Sequence, residues 1–335
     1  MNRKYLIVCA AAGVVALLLC AVLITSPFEP SLPVIYMIYG GEKGDLSYID
    51  SVYRGLFSAQ ETMPFSKREF VAFDDGELDG FLASAQTARP GLVIVLGYAY
   101  TEQTRSLAKR HPDIRFFAID QAGNGTRNLR QYEITSYGES YLAGVLAATA
   151  TKSRHVGIIL GTQSSLLEGF RQGYRDGARA ADPGVVLEEA YVREHSTLGF
   201  SDPVRAAEIA RVMYRNGTDV IYTVAGFSGT GAISEAKTAP GRYVIGVDSD
   251  QTVLGPSVVL ASAVKRVDRV VYTSISDYLN GSFIGGATVA GLDEGVTELV
   301  FNPRFTRYNA TVRTWESAAK KEEARYIAAH TGQGA

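Results

Sequence analysis

Carboxylates, aromatic rings and glycines recur in this 335-residue chain, each time just after a short apolar run. Gly40-Gly-Glu-Lys-Gly44 leads into Asp45, Ser47 and Tyr48. Gly97-Tyr-Ala-Tyr100, Asp120-Gln121, Gly226-Phe227-Ser-Gly-Thr-Gly231 and Asp248-Ser-Asp-Gln251 follow later runs. Glycines let a backbone approach a bound molecule, aromatic faces stack on flat rings, and carboxylate oxygens accept hydrogen bonds from vicinal hydroxyls. A sugar or a nucleoside calls for that combination. Each residue also has a plainer explanation. Asp45 or Ser47 serves as a helix N-cap, Asp after a strand is ordinary turn chemistry, and Gly226 to Gly231 makes a tight strand-to-helix turn that can also offer N–H groups to an anion or hydroxyl. Recurrence in register favours a site over a set of unrelated turns.

Signatures of catalysis are missing. The chain has no Gly-Lys-Ser/Thr phosphate loop, no His-Glu-x-x-His and no Gly-x-Ser-x-Gly. Its four histidines, His111, His155, His195 and His330, lack metal-ligand spacing, and the carboxylates are too sparse for a calcium cage. No metal or cofactor is expected. Lys and Arg number 33 against 35 Asp and Glu, so no excess positive charge exists to neutralise a phosphate backbone, and nucleic acid is not an expected partner. Apolar residues at 46% and charged residues at 20% are those of a folded globular body.

These residues need elements to hold them. From Pro33 onward, short β-branched or aromatic runs alternate with longer amphipathic segments, the pattern of βαβ units. Strands are expected at Val34–Tyr39, Glu69–Phe73, Leu92–Leu96 and Arg115–Ile119, with helices at Ile49–Met63, Glu77–Ala88 and Thr101–Arg110. A polar stretch, Gly123 to Asn128, separates this series from a second one. There, strands are expected at His155–Leu160, Val185–Tyr191, Asp219–Val224 and Tyr243–Val247, and helices at Leu166–Ala181, Pro203–Arg215 and Gly229–Lys237. Asp202-Pro203 supplies an N-cap and a proline at the first helical position. Two parallel sheets in tandem predict two lobes facing across a cleft, with ligand at the carboxyl ends of the strands. Lobe 1 is expected over 31–135 plus 256–285 and lobe 2 over 136–255 plus 286–320. Residues 321–335 are expected to form a solvated tail, with Lys320-Lys-Glu-Glu323 on a terminal helix.

The first 30 residues are of another kind. Arg3 and Lys4 precede an almost unbroken apolar run, Tyr5 to Ile24, which at about 20 residues is long enough to span a bilayer. An export signal or uncleaved anchor is expected, with the body outside the cytoplasm. Both cysteines, Cys9 and Cys20, lie in this run, so the body has none for a disulfide. Cys20 stands where a lipidated cysteine could stand, although Leu17-Leu18-Leu19 lacks the small residue that lipoprotein processing normally uses.

Several stretches resemble the basic membrane protein family of bacterial extracytoplasmic receptors: Asp45-Leu-Ser-Tyr48, Ser140-Tyr-Leu-Ala-Gly144, Phe200-Ser-Asp-Pro203, Val224-Ala-Gly226, Gly246-Val-Asp-Ser-Asp-Gln251 and Ser262-Ala-Val-Lys265-Arg-Val-Asp268. The resemblance runs from about Val34 to Phe301. It implies a two-lobed type I periplasmic-binding fold, each lobe a parallel sheet flanked by helices, holding a nucleoside between the lobes. It further implies a base clamped between Tyr48 and Phe200, ribose hydroxyls on Asp248, Lys265 reaching the sugar or a neighbouring carboxylate, and Asp45 and Asp120 at polar edges of the base. Partners implied are an ABC-type permease and ATPase, with the receptor itself a monomer. Two departures bear on specificity. Ile49 stands where the family usually has Asn, and Phe227 interrupts a glycine-rich run, narrowing the pocket or adding a stacking surface. A sensor or adhesin without a transport role, or a nucleoside hydrolase using Asp45 and Asp248 around a cation, are the rival readings.

Overall fold

The computed structural model describes residues 32–330, apart from 42, 73–76, 79 and 82–89. The Tyr5 to Ile24 run with its two cysteines lies outside the described residues, as does most of the helix expected over Glu77–Ala88. No helix among the described residues is long and apolar enough to cross a membrane.

Two six-stranded sheets form the frame. The first joins β1 (Val34–Tyr39), β2 (Ser66–Val71), β3 (Leu92–Leu96), β4 (Arg115–Ile119), β5 (Leu129–Ile134) and β11 (Gly286–Ala290) in the order β11-β5-β4-β3-β1-β2, with every pairing parallel. The second joins β6 (His155–Leu160), β7 (Val186–Tyr191), β8 (Val220–Val224), β9 (Tyr243–Asp248), β10 (Val259–Lys265) and β12 (Thr297–Phe301) in the order β12-β10-β9-β8-β6-β7. It is parallel except that β12 runs antiparallel to β10, so this lobe is mixed rather than purely parallel. Central strands are buried on both faces: every residue of β3, β8 and β10 is buried. Their unbroken Val, Ile and Leu content follows from that double burial.

Helices α1 (Tyr48–Thr62), α2 (Thr101–Arg110) and α7 (Val267–Leu279) accompany the first sheet, and α3 (Tyr137–Ala150), α4 (Ser165–Ala181), α5 (Pro203–Arg215), α6 (Gly229–Ala236) and α8 (Glu316–His330) the second. In α1 the buried Ile49, Val52, Leu56 and Ala59 recur at helical spacing and face the sheet. Helix α5 starts as the sequence requires: Asp202 accepts the N–H of Arg205 at 3.0 Å and Pro203 opens the first turn.

Three differences from the expected layout matter. Strand β2 begins at Ser66 rather than Glu69, because an edge strand needs one apolar face only, and its polar start Ser66-Lys-Arg-Glu69 gives no hydrophobic cue. The lobe boundaries also shift. β10 lies beside β9 in the second sheet and β11 beside β5 in the first, so the division at 256 and 286 puts both strands in the wrong lobe. The chain changes lobes at Thr135-Ser136, at Lys265-Arg266 and at Gly291–Val296. Lastly, α8 is not a solvated tail: Ala319 and Glu323 are buried, and Tyr326 stacks on Tyr137 with ring centroids 4.9 Å apart.

Candidate functional site

The carboxyl ends of β1, β3 and β4 in lobe 1 meet those of β9 and β10 in lobe 2. Asp120 follows β4 and Asp248 ends β9, and both adopt left-handed backbone, with φ of 56° and 61°. Side chains other than glycine enter that region at a cost, Asp less than most, and such positions collect at ligand-binding sites. The two bends turn both carboxylates towards the seam between the lobes.

Lys265, at the end of β10, places Nζ 3.1 and 3.3 Å from the two oxygens of Asp120, and both side chains are only 2% exposed. Asp120 also accepts the N–H of Ile134 at 3.3 Å. Beneath the ammonium lies the Phe170 ring, its centroid 5.2 Å from Nζ, and beside it the Tyr48 ring at 5.8 Å. The Tyr48 hydroxyl is buried and points towards Asp120, yet no well-formed hydrogen bond joins them. Burial, then the negative charges of Asp120, Asp248 and Asp45, hold this phenol protonated well above its ordinary range.

Asp248 is the counterpart in lobe 2. Its carboxylate accepts the Ser47 hydroxyl at 2.7 Å, a bond made across the lobes. Part of the residue reaches the surface, but packing around the carboxylate desolvates it and pushes its pKa up to about 6, against the lowering effects of Lys265 and Ser47. Asp45 has a different fate. Its oxygens accept the N–H groups of Ser47 and Ile49 at 2.9 Å and of Asp50 at 3.1 Å, so the carboxylate is committed to the start of α1. Any contact from Asp45 to a base edge competes with those bonds. Ser47 is likewise committed, as a tie between lobes.

Gly97 follows β3 beside Asp120: its N–H donates to the Ile119 carbonyl and its own carbonyl accepts from Gln121. A second group lies on lobe 2. The half-buried Phe200 ring covers Gly161, where a Cβ would fall 2.6 Å from ring atoms, and packs against Gly226, whose φ of 54° suits glycine. Phe227, next in the chain, is 36% exposed. The structure thus brings Asp45, Ser47, Tyr48, Gly97, Asp120, Asp248 and Lys265 into one cluster and Phe200, Gly226 and Phe227 into another. Among the described residues, the Phe200 and Tyr48 rings do not stack on one another.

Sequence reasoning missed the seam itself. Ser249 donates to the Ser47 carbonyl at 2.8 Å and accepts from Arg54 at 3.2 Å, while Gln251 reaches the Leu46 carbonyl at 3.4 Å. Ser249 and Gln251 stand in the Asp248 to Gln251 stretch, but as lobe-to-lobe ties. Arg54 carried no signal, being one more charged residue on a surface helix.

A family model described as ABC transporter substrate-binding protein PnrA-like (Bmp) matches residues 32–328. The chain belongs to this family. Among its relatives, the ABC transporter nucleoside-binding protein BmpA of Lactococcus lactis subsp. cremoris is 32% identical over 285 residues, 76% of this chain and 80% of that one. Basic membrane protein A1 of Borrelia garinii subsp. bavariensis is 29% identical over 286 residues, 83% of this chain and 82% of that one. The crystal structure of an ABC transporter solute-binding protein from Aeropyrum pernix K1 superposes with a TM-score of 0.74 at 26% identity, covering 84% of this chain and 80% of the other. This Bmp-family chain is therefore a solute-binding protein of an ABC transporter system with the type I periplasmic-binding fold, from an extracytoplasmic receptor family. Such a family binds rather than catalyses, which sets the hydrolase reading aside, as does the commitment of Asp45 to its helix.

Proposed function

We propose that this protein captures a nucleoside between its lobes and hands it to the permease and ATPase of an ABC-type importer, working as a monomer. The observation that carries the reading is the convergence of Asp120, Asp248, Lys265 and Tyr48 at the seam. Two carboxyl groups, Asp120 and Asp248, share one ammonium, with the helix-capping Asp45 adding further negative charge nearby, a balance that favours a ligand rich in hydroxyl and amine donors over an anion. The nucleoside-binding relative from Lactococcus supports the same ligand class.

In this reading Asp248 accepts from ribose hydroxyls, the Asp120–Lys265 pair meets the sugar or a base edge, and Tyr48 and Phe200 take opposite faces of the base. Gly97 and Gly226 allow close backbone approach, and Phe227 closes one side of the pocket. Phe200→Ala is expected to weaken nucleoside binding about tenfold or more, since base–aromatic stacking contributes roughly 1–3 kcal/mol. Titration calorimetry checks it. A sharp fall in melting temperature with affinity unchanged would make Phe200 a packing residue over Gly161 instead.

The Tyr5 to Ile24 run is read as an uncleaved membrane anchor, with the body outside. Intact mass measured on the membrane-extracted protein should then retain Met1 without added lipid, and a diacylglyceryl group on Cys20 as the new N-terminus would refute this.

A further inference from the structure

Helix α8 supplies one side chain that reaches both of the outer crossovers. Glu323 is 2% exposed; its Oε1 accepts the N–H of Gly138 and its Oε2 the N–H of Leu292, each at 2.9 Å. Gly138 comes two residues after the first lobe change at Ser136, and Leu292 lies within the third. A Cβ at Gly138 would fall 2.8 Å from Glu323 Oε1 and one at Gly291 would fall 2.6 Å from it, so both backbones approach the carboxylate at a distance only glycine permits. The stacking of Tyr326 on Tyr137 and the buried Ala319 hold α8 against α3 beside this point.

Around it the hinge is polar and under-satisfied. Glu139, fully buried one residue from Gly138, makes no well-formed hydrogen bond through either carboxylate oxygen among the described residues, although the Thr297 hydroxyl lies near it, and the buried hydroxyls of Thr135 and Ser136 likewise make none. Lys265 and Thr297 face Glu139 from β10 and β12, Tyr222 faces it from β8, and Glu294 faces Glu323 from the third crossover. Unpaired buried polar groups are uncommon in folded proteins and each raises the cost of the arrangement that holds it. Crossovers carrying several of them need an external restraint to keep one geometry.

We infer that Glu323 is a positioning residue for lobe closure, clasping the first and third crossovers together so that α8 acts as part of the hinge. Carboxylate bonds to two backbone N–H groups set the spacing of the crossovers, and hinge motion in two-lobed proteins is absorbed by a few such residues at element ends. The inference goes beyond the ligand assignment, and its affinity arm alone rests on the nucleoside reading.

The test compares the full chain, Glu323→Ala and the size-conserving Glu323→Gln by amide hydrogen exchange and by adenosine titration. In Glu323→Ala, exchange in peptides over 135–140 and 289–294 is expected to rise at least about tenfold, with β3 and β8 keeping wild-type protection. Glu323→Gln, which retains one carbonyl acceptor, should fall between. Adenosine affinity should follow the same order. Unchanged exchange at both crossovers, or an equal rise throughout the body in both variants, would overturn the clasp. If wild-type protein does not bind adenosine, the nucleoside reading is in question while the exchange result still decides the clasp.

Discussion

Replacing Lys265 by Met is expected to cost the fold about 3–5 kcal/mol, the usual penalty for leaving a buried carboxylate without its partner. Asp120 is 3% exposed and, among the described residues, would keep the N–H of Ile134 and the nearby Tyr48 hydroxyl but no cation. Met preserves the apolar stem over Phe170, so the loss reports the charge rather than the packing. A fall in melting temperature on the order of 10 °C follows for a chain of this size. The double variant Lys265→Met/Asp120→Asn removes both charges and should recover much of the loss, because desolvating the pair offsets most of its Coulomb attraction. Thermal melts of the two variants check this. A single variant as stable as wild type would mean that the two side chains are not joined in solution.

Asp248→Asn is expected to weaken nucleoside binding by roughly 1.5–3 kcal/mol, or about ten- to a hundredfold, through loss of a charge-assisted acceptor. Asn still offers an oxygen to Ser47, so the seam stays closed and the charge is isolated as the variable. The pH dependence sharpens the test. Burial raises the folded-state pKa of Asp248 to about 6, above its ordinary value, so this group's contribution to stability is complete below about pH 4 and fades as the pH rises through 6. Ligand affinity runs the opposite way, since ribose hydroxyls need the ionised acceptor. Wild-type affinity should therefore drop as the pH falls below about 6, while Asp248→Asn shows a flat profile. Parallel profiles for the two proteins would remove Asp248 from the site.

What the sequence could tell depended on how far each feature is local. Strands β1, β3, β4 and β6 are readable because residues buried on both faces must be apolar without a break. Helix α3 is not, since it is buried almost all round and has no polar stripe to reveal a helical period. The membership of β10 and β11 depends on pairing with β9 and β5, which no window of sequence contains. At the site, the strand-end positions of Asp120 and Asp248 were legible from pattern, whereas their left-handed backbones were not. For Asp45 both chemistries were open in the sequence. The three N–H groups that it accepts favour the cap, and only the folded loop brings them together.

The most direct test of the account is calorimetric titration of the compact Pro33–Ala335 body with adenosine, guanosine, inosine, uridine and cytidine, alongside their free bases and 5′-monophosphates. We expect one-to-one binding of at least one purine nucleoside. Its free base should bind at least about tenfold more weakly for want of the ribose–Asp248 bonds, and its monophosphate likewise because a phosphate meets the carboxyl groups of the seam. Absence of binding by every nucleoside, or equal affinity for nucleoside and free base, would contradict it.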